Sequence, residues 1–405
     1  MSGATAPRAP VRLFAVATAV IVLSLYQAQP LIGMMTHTLH LSPAVAGLIA
    51  SMTLLGYACG LFLLVPLCDV WENRSLVLAT LFANTLALLL AACPIPAAAF
   101  LLASGLTGFT ASAIQMLIPM AAAMVPAARR GRVIGDIMSG LILGVLLSRP
   151  LASVVGGYWG WRASYLVLAA AVCTLTISLA RTLPRRRPTH RGRYVALLSS
   201  MAGLLREEPL LRRRAFAAAL CFAAFNAFWS TVALRLSNAP FALGANGIAL
   251  YTLVGVSGAL AAPFAGRLGD RGLDRIGTQM ARLAVMLAIA LAWTGGVLAT
   301  HLSSGLSLSL LVLAAILLDA GTIADQALGR RAVNLLRPEA RGRINALFTG
   351  IFFIGGAAGA AIAGVAWAYG GWNGVCAIAT MFGVTAAVYG LCESGATVLS
   401  VSEES

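Results

Sequence analysis

The loop Gly266-Arg-Leu-Gly-Asp-Arg-Gly-Leu-Asp-Arg275 lies between two long apolar runs and has a weaker counterpart, Val65-Pro-Leu-Cys-Asp-Val-Trp-Glu-Asn-Arg74. The same offset of 201 residues separates Asp69 from Asp270 and also separates the arginines that end the two loops. Two further pairs share an offset of 211 residues, namely Arg130-Gly-Arg132 with Arg341-Gly-Arg343, and Gly160-Trp161 with Gly371-Trp372. Because these marks come in the same order, the sequence predicts two similar halves.

The composition indicates that most of the surface faces lipid. Hydrophobic residues make up 60% of the 405 residues and charged residues 10%, and the mean hydropathy is +0.90. Soluble domains carry about 25% charged residues. The net charge of +15 comes from Arg residues in short loops, where they set membrane orientation, so nucleic acid is not an expected partner.

The sequence contains no Lys, which excludes two classes of function within this chain. A Walker A loop needs Lys on the phosphates, and a Schiff-base enzyme needs Lys as its nucleophile. The seven Cys form neither a C-x-x-C pair nor a metal-type cluster. We therefore expect no cofactor and no metal, and an ion gradient or a separate subunit must supply energy.

Long apolar runs predict an all-α membrane protein of twelve transmembrane helices, since each run gives about 30 Å of helix, the thickness of a hydrocarbon core. The predicted spans are 13–33, 45–66, 76–93, 97–124, 133–155, 163–182, 215–236, 247–266, 277–299, 307–329, 343–368 and 374–392. The predicted domains are an N-terminal six-helix half (1–182), a basic linker loop (183–214) and a C-terminal six-helix half (215–405) with a short tail. Alternate connections carry most of the Arg residues, so both termini are predicted to be cytoplasmic. The linker is expected to touch anionic membrane lipid.

The two loops at 65–74 and 266–275 resemble the signature of the major facilitator superfamily, roughly G-x-x-x-D-R-x-G-R-R. Gly266, Asp270, Arg271 and Arg275 match it in the second copy, whereas only Asp69 and Arg74 remain in the first. The resemblance covers almost the whole chain and implies two six-helix halves around a central cavity. It also implies that these six residues form a cytoplasmic conformational latch, because a carboxylate at a helix end can pair with Arg and accept bonds from a helix N-terminus. The alternative is that they are ordinary loop charges.

Within the superfamily the chain resembles the twelve-span drug:proton antiporter group. The stretches that carry this resemblance are Leu25-Tyr-Gln-Ala-Gln-Pro-Leu31, Leu54-Leu-Gly-Tyr-Ala58, Arg130-Gly-Arg-Val-Ile-Gly135 and Arg149-Pro-Leu-Ala-Ser-Val-Val-Gly-Gly157. The last is similar to a motif ending in G-P-x-x-G-G, with Arg149 in place of Gly. Ser104 precedes Gly108 where proton-coupled relatives have an Arg, so proton coupling through span 4 is not supported.

Asp319 is the strongest candidate for proton or substrate binding. It lies about 12 residues into its span, or about 18 Å deep, where an acid costs roughly 2.5–3.5 kcal/mol to insert. Thr322 and Gln326 share its helix face. The alternative is a structural carboxylate satisfied by its neighbours.

Arg149 lies well inside span 5 and is followed by Pro150. It is expected to bind an anionic or carbonyl-bearing group or to pair with Asp319; the alternative is a snorkelling or structural Arg. Asp325 is expected to pair with Arg330, and Asp136 with Arg132. Five other candidates for the cavity are Gln27 and Gln29 in span 1, Gln115 in span 4, and Asn226 and Trp229 in span 7, although each amide is as well explained by helix–helix packing.

The predicted function is secondary active transport of a small amphipathic molecule across the bacterial inner membrane, by proton-coupled efflux and as a monomer. The alternatives within transport are efflux of a sugar or metabolite, or uptake by proton symport. A membrane enzyme or sensor is the alternative from another class. The chain has no H-E-x-x-H sequence and no nucleophile elbow, so it is predicted not to be an enzyme.

Overall fold

The computed structural model describes residues 11–185, 194–297, 303–337 and 340–402, and the regular secondary structure in these ranges is helical. The α-helices are α1 (Val11–Tyr26), α2 (Ile32–Thr38), α3 (Pro43–Leu63), α4 (Asn73–Ala92), α5 (Ala97–Ala111), α6 (Ala113–Ala123), α7 (Ala127–Trp159), α8 (Trp161–Thr182), α9 (Tyr194–Glu207), α10 (Pro209–Ser237), α11 (Ala245–Thr252), α12 (Val256–Asp270), α13 (Asp274–Val297), α14 (Ser304–Asn334) and α15 (Arg341–Ser402). Three 3₁₀ turns, η1 (Gln29–Leu31), η2 (Val65–Asp69) and η3 (Leu253–Gly255), complete the elements.

Ten helical segments of the described residues are long and apolar enough to cross a membrane. They differ from the twelve predicted spans at two places. The predicted span 247–266 is interrupted at η3, where α11 ends and α12 begins. The last two predicted spans form one segment, in which Gly371 has a non-helical conformation (φ 52°, ψ −143°) that favours glycine. Large apolar side chains on the outer surface, such as Leu102, Trp159 and Leu250, are about 70% exposed, as expected for a surface that faces lipid.

Two glycines each bring a pair of helices into backbone contact. A Cβ on Gly144 of α7 would lie 2.2 Å from the carbonyl oxygen of Ala19 in α1. A Cβ on Gly359 of α15 would likewise lie 2.1 Å from the carbonyl oxygen of Ala223 in α10. Small residues allow membrane helices to approach this closely. The first predicted span therefore packs on the fifth, and the seventh on the eleventh, in the same way.

The first span is broken where its polar residues lie. α1 ends at Tyr26, and Pro30 lies within η1, the 3₁₀ turn that follows. Because proline has no N–H to donate, the α-helical hydrogen-bond ladder cannot pass through it unchanged. The break leaves Gln29 inside the protein, with 1% of its surface exposed.

The region predicted as a linker loop contains the helix α9, and α10 begins within it at Pro209. Residues 186–193, which include part of the basic Pro184–Pro188 run, lie outside the described residues. Tyr194 of α9 donates a 2.8 Å hydrogen bond to the carbonyl of Leu63, and Arg343 donates one of 2.8 Å to Ser200. Arg337 pairs with Glu208 at 2.7 Å, and this hydrogen bond raises the pKa of the guanidinium. α9 is thus attached to both α3 and α15.

Candidate substrate and proton site

A hydrogen-bonded chain of buried side chains crosses the centre of the protein. Nε of Arg149 on α7 donates to Oε1 of Gln29 in η1 at 2.8 Å. Nε2 of Gln29 donates in turn to Oδ1 of Asn226 on α10 at 3.0 Å, and Nδ2 of Asn226 donates to the Phe222 carbonyl. These three side chains are at most 3% exposed. This series of hydrogen bonds joins segments that were predicted to belong to different halves.

Trp229 links the arginine to the aspartate. Its Nε1 donates a 2.8 Å hydrogen bond to Oδ1 of Asp319 on α14, and the Arg149 guanidinium carbon lies 4.3 Å from its ring centroid. Two more rings, those of Tyr26 and Phe225, lie 5.3 and 5.4 Å from the same guanidinium carbon. A guanidinium within about 6 Å of an aromatic face is attracted to it, and more strongly where water is excluded. The central cluster therefore consists of Gln29, Arg149, Asn226, Trp229 and Asp319, bordered by two further rings.

Arg149 and Asp319 lie near each other without forming an ion pair. Among the described residues, the salt bridges within 4.0 Å do not include this pair. Both nevertheless face Gly255, where a Cβ would lie 3.0 Å from Oδ2 of Asp319 and 3.5 Å from Nη1 of Arg149. Direct pairing with Asp319, one of the two roles left open for Arg149, is therefore not formed, and both groups lie beside one glycine.

The remaining predicted binding residues are buried or half-buried. Thr322, one turn from Asp319, is 1% exposed and its Oγ1 has no hydrogen-bond partner in the described part of the chain. Gln27 is 3% exposed with an unpartnered Nε2, and Gln326 is half-buried. Gln115 lies apart from the cluster, donating to the Tyr57 hydroxyl at 3.3 Å.

Gln115 instead lines a separate cavity of about 460 Å³. Its other polar lining residues include Asp69 of η2 and Arg343, Asn345 and Thr349 of α15. Leu197 and Met201 of α9 also line it. The cavity is on the predicted cytoplasmic side, between helices assigned by sequence to the two halves.

A second buried charge pair lies on α13 and α14. Nε of Arg282 is 2.9 Å from Oδ1 of Asp325, and the two side chains are 4% and 2% exposed. The expectation that Asp325 pairs with Arg330 was therefore wrong, because the rotation of α14 turns Asp325 towards α13. Asp136 is exposed, and no ion pair joins it to Arg132 in the described ranges.

Two of the predicted latch residues, Arg74 and Asp270, contact residues outside the predicted latch. Arg74 donates a 2.7 Å hydrogen bond to the carbonyl of Ala180 on α8. Asp270 lies 3.4 Å from Arg331 of α14 and is 78% exposed. The other members, Asp69, Gly266, Arg271 and Arg275, are exposed. The Asp270 contact joins two helices of the predicted second half, so it does not connect the halves.

Three residues of the central site were missed by the sequence analysis. Tyr26 and Phe225 border the guanidinium, and Gly255 faces both charges. Phe225 precedes Trp229 by four residues and so shares its helix face, a signal that the sequence contains. Gly255 had no such signal, because the break at η3 is visible only in the structure.

The buried, charged centre within an apolar helical bundle defines the class, a multi-pass membrane transporter, and the comparisons with known proteins agree. Residues 14–322 match the Major Facilitator Superfamily, and the chain belongs to that family. It is similar to a putative uncharacterized transporter of Escherichia coli K12, YgaY, with 33% identity over 364 residues that cover 90% of each chain. It is also similar to a probable transporter of Streptomyces coelicolor, SCO4007, with 33% identity over 380 residues, 93% of this chain and 86% of the relative.

Solved structures share the fold. A bacterial homolog of the human lysosomal transporter Spinster, in an inward-facing and unoccupied conformation, aligns with a TM-score of 0.75 and 13% identity, covering 94% of this chain and 95% of that one. The nucleoside transporter NupG aligns with a TM-score of 0.71 and 16% identity, covering 95% and 98%. At these identities the likeness concerns the fold alone.

Proposed function

We propose that this chain is a proton-coupled exporter of small amphipathic molecules in the bacterial inner membrane. In this proposal residues 1–182 and 215–405 are two six-helix halves that rock about a central site, with both termini cytoplasmic and a single chain as the working unit. Twelve spans result if the segment Arg341–Gly390 is divided at Gly371 and the interrupted α11–α12 pair is counted as one span. Alternating access then exposes the site to one side at a time.

The observation that carries this proposal is the central cluster. Arg149 and Gln29 belong to the proposed first half, and Asn226, Trp229 and Asp319 to the second, and their contacts cross the boundary. A carboxylate this deep in a membrane protein marks an ion or substrate pathway more often than a packing contact. Asp319 is assigned as the proton carrier, and aromatic rings and amides are assigned to the substrate.

The latch is proposed at the cavity that Gln115 lines. Asp69 and Arg343 come from different proposed halves and both line it. Rocking of the halves would change the distance between these two side chains, so their charges favour one state over the other. Arg74, Asp270, Arg271 and Arg275 would then anchor the loops on their own halves.

The test is substrate-driven proton movement in inverted membrane vesicles. A pH-sensitive dye reports the gradient while lipophilic cations, phenicols and sugars are added singly. A compound should dissipate the gradient with the wild type and not with Asp319→Asn. Asp136→Asn is the matched control, because it makes the same chemical change at an exposed position. Equal responses of wild type and Asp319→Asn would refute the role of Asp319, and compound-driven gradient formation would favour uptake by symport.

A further inference from the structure

The two charged groups of the central cluster each keep a side without a partner. Arg149 donates through Nε to Gln29, but its buried Nη2 has no hydrogen-bond partner in the described chain. Asp319 accepts from Trp229 at Oδ1, whereas no described residue donates to Oδ2. Oδ2 of Asp319 and Nη1 of Arg149 both face Gly255, where a Cβ would lie 3.0 and 3.5 Å from them. A donor and an acceptor of full charge therefore lie close together beside one glycine.

From this geometry we infer that the substrate is a compact zwitterion, with a carboxylate and an ammonium group a few bonds apart. The inference rests on the proposed transport function and specifies its substrate class. The carboxylate pairs with the guanidinium of Arg149, and the ammonium pairs with Oδ2 of Asp319. A cation alone would leave Nη2 unpaired and be repelled by Arg149. An anion alone would leave the carboxylate of Asp319 without a partner and be repelled by it. An unpaired buried charge is costly.

The rings around the guanidinium indicate what the rest of the substrate is. Tyr26, Phe225 and Trp229 lie within 5.4 Å of the guanidinium carbon of Arg149, measured to their centroids. Aromatic rings pack well against another ring in edge-to-face or offset arrangements. An α-amino acid with an aromatic side chain combines this body with the required pair of charges. Gly255 then determines specificity, because any side chain there would occupy the position between the charges.

Three probes with the same phenyl and two-carbon body separate the contributions of the charges. Phenylalanine carries both groups, phenethylamine lacks the carboxylate and 3-phenylpropanoate lacks the ammonium. Binding is measured by calorimetry on the purified full-length protein. Phenylalanine should bind at least about tenfold more tightly than either relative, since each charge-assisted hydrogen bond contributes a factor of about this size.

Variants assign each charge to its residue. Arg149→Gln should abolish the preference for phenylalanine over phenethylamine, and Asp319→Asn should abolish its preference over 3-phenylpropanoate. Gly255→Ala should weaken phenylalanine binding at least about tenfold. Gly305→Ala, where a Cβ would meet nothing within 4 Å, should leave it unchanged. Thermal melting of each variant confirms that it is folded, and a variant that is not is replaced by Arg149→Met or Asp319→Leu, which also remove the charge.

The outcomes separate the inference from the function on which it rests. Equal or tighter binding of phenethylamine, undetectable binding of phenylalanine, or unchanged preferences in the variants would overturn the zwitterion inference. If another compound then dissipates the vesicle gradient in a manner that depends on Asp319, the proposed exporter still stands. If phenylalanine binds as expected but no compound, phenylalanine included, moves protons, the substrate class holds and proton coupling fails.

Discussion

The buried pair of Arg282 and Asp325 allows a prediction that needs no substrate. Replacing either residue alone, by Arg282→Met or Asp325→Leu, leaves one charge in a site where both side chains are at most 4% exposed. Removing one partner of a buried ion pair costs about 3–5 kcal/mol, because the remaining charge loses its opposite charge away from water. Exchanging both for apolar groups of similar volume is often close to neutral. We therefore expect each single variant to lose about 3–5 kcal/mol and the double variant to recover most of this loss.

The measurement is a double-mutant cycle on purified protein, unfolded in mixed micelles by increasing SDS and followed by tryptophan fluorescence. The coupling free energy of the cycle isolates the pairwise interaction. Arg282 also packs on α15, where a Cβ at Gly390 would overlap its Nη1, so the shorter methionine leaves some space unfilled in both backgrounds. Asp136→Leu is the control, an exposed carboxylate that should change little. Losses in the double variant equal to the sum of the single losses would refute the reasoning.

Two further predictions concern packing and the linker. Gly144→Val should lower the yield of monodisperse protein and the SDS concentration at half-unfolding, because overpacking costs about 1–3 kcal/mol and backbone atoms must move here. Gly135→Ala, with nothing within 4 Å of its Cβ, should be tolerated. An unchanged stability of Gly144→Val would contradict the close helix contact. Arg337→Gln removes the 3.2 Å contact with Glu207, the last residue of α9, and the 2.7 Å contact with Glu208. It should speed trypsin cleavage within α9 while the melting temperature barely changes. Arg129→Gln, at an exposed Arg in the first turn of α7, serves as its control, and equal cleavage rates in both variants would argue against α9 being held by Arg337.

Charges inside apolar runs could be found from sequence because their energetic cost makes them rare. Arg149 and Asp319 were singled out in this way, and the structure places both in one cluster with Trp229. Their partners could not be derived, because pairing depends on how each helix is rotated and shifted against its neighbours. Asp325 illustrates this, since it faces Arg282, 43 residues away in sequence, and not Arg330. Gln115 fits the same explanation, because it lies in the span predicted for it but contacts Tyr57 and not the central cluster.

The helix within the predicted linker was missed for a different reason. Its apolar residues at 197, 198, 201, 204 and 205 recur at the spacing of an amphipathic helix. The many arginines on both sides indicate a charged loop, and the prediction of a linker loop followed that composition. Met201 and Leu204 are buried, so the apolar face of α9 packs against the protein. The apolar periodicity by itself predicts a helix here.

The two buried charge pairs of this transporter have opposite designs. In the first, Arg282 and Asp325 lie 2.9 Å apart, so each charge is compensated within the protein. In the second, Arg149 and Asp319 are each held by neutral groups, Gln29 and Trp229, which orient the charges without neutralising them. A pair that is already closed gains nothing from a ligand, whereas separated charges gain partners when one arrives. Because holding charges apart in a membrane is costly, this second arrangement is expected only where binding repays it. The same comparison supplies a test, since substitutions at Arg282 should alter stability and leave ligand preference unchanged, and substitutions at Arg149 should alter ligand preference.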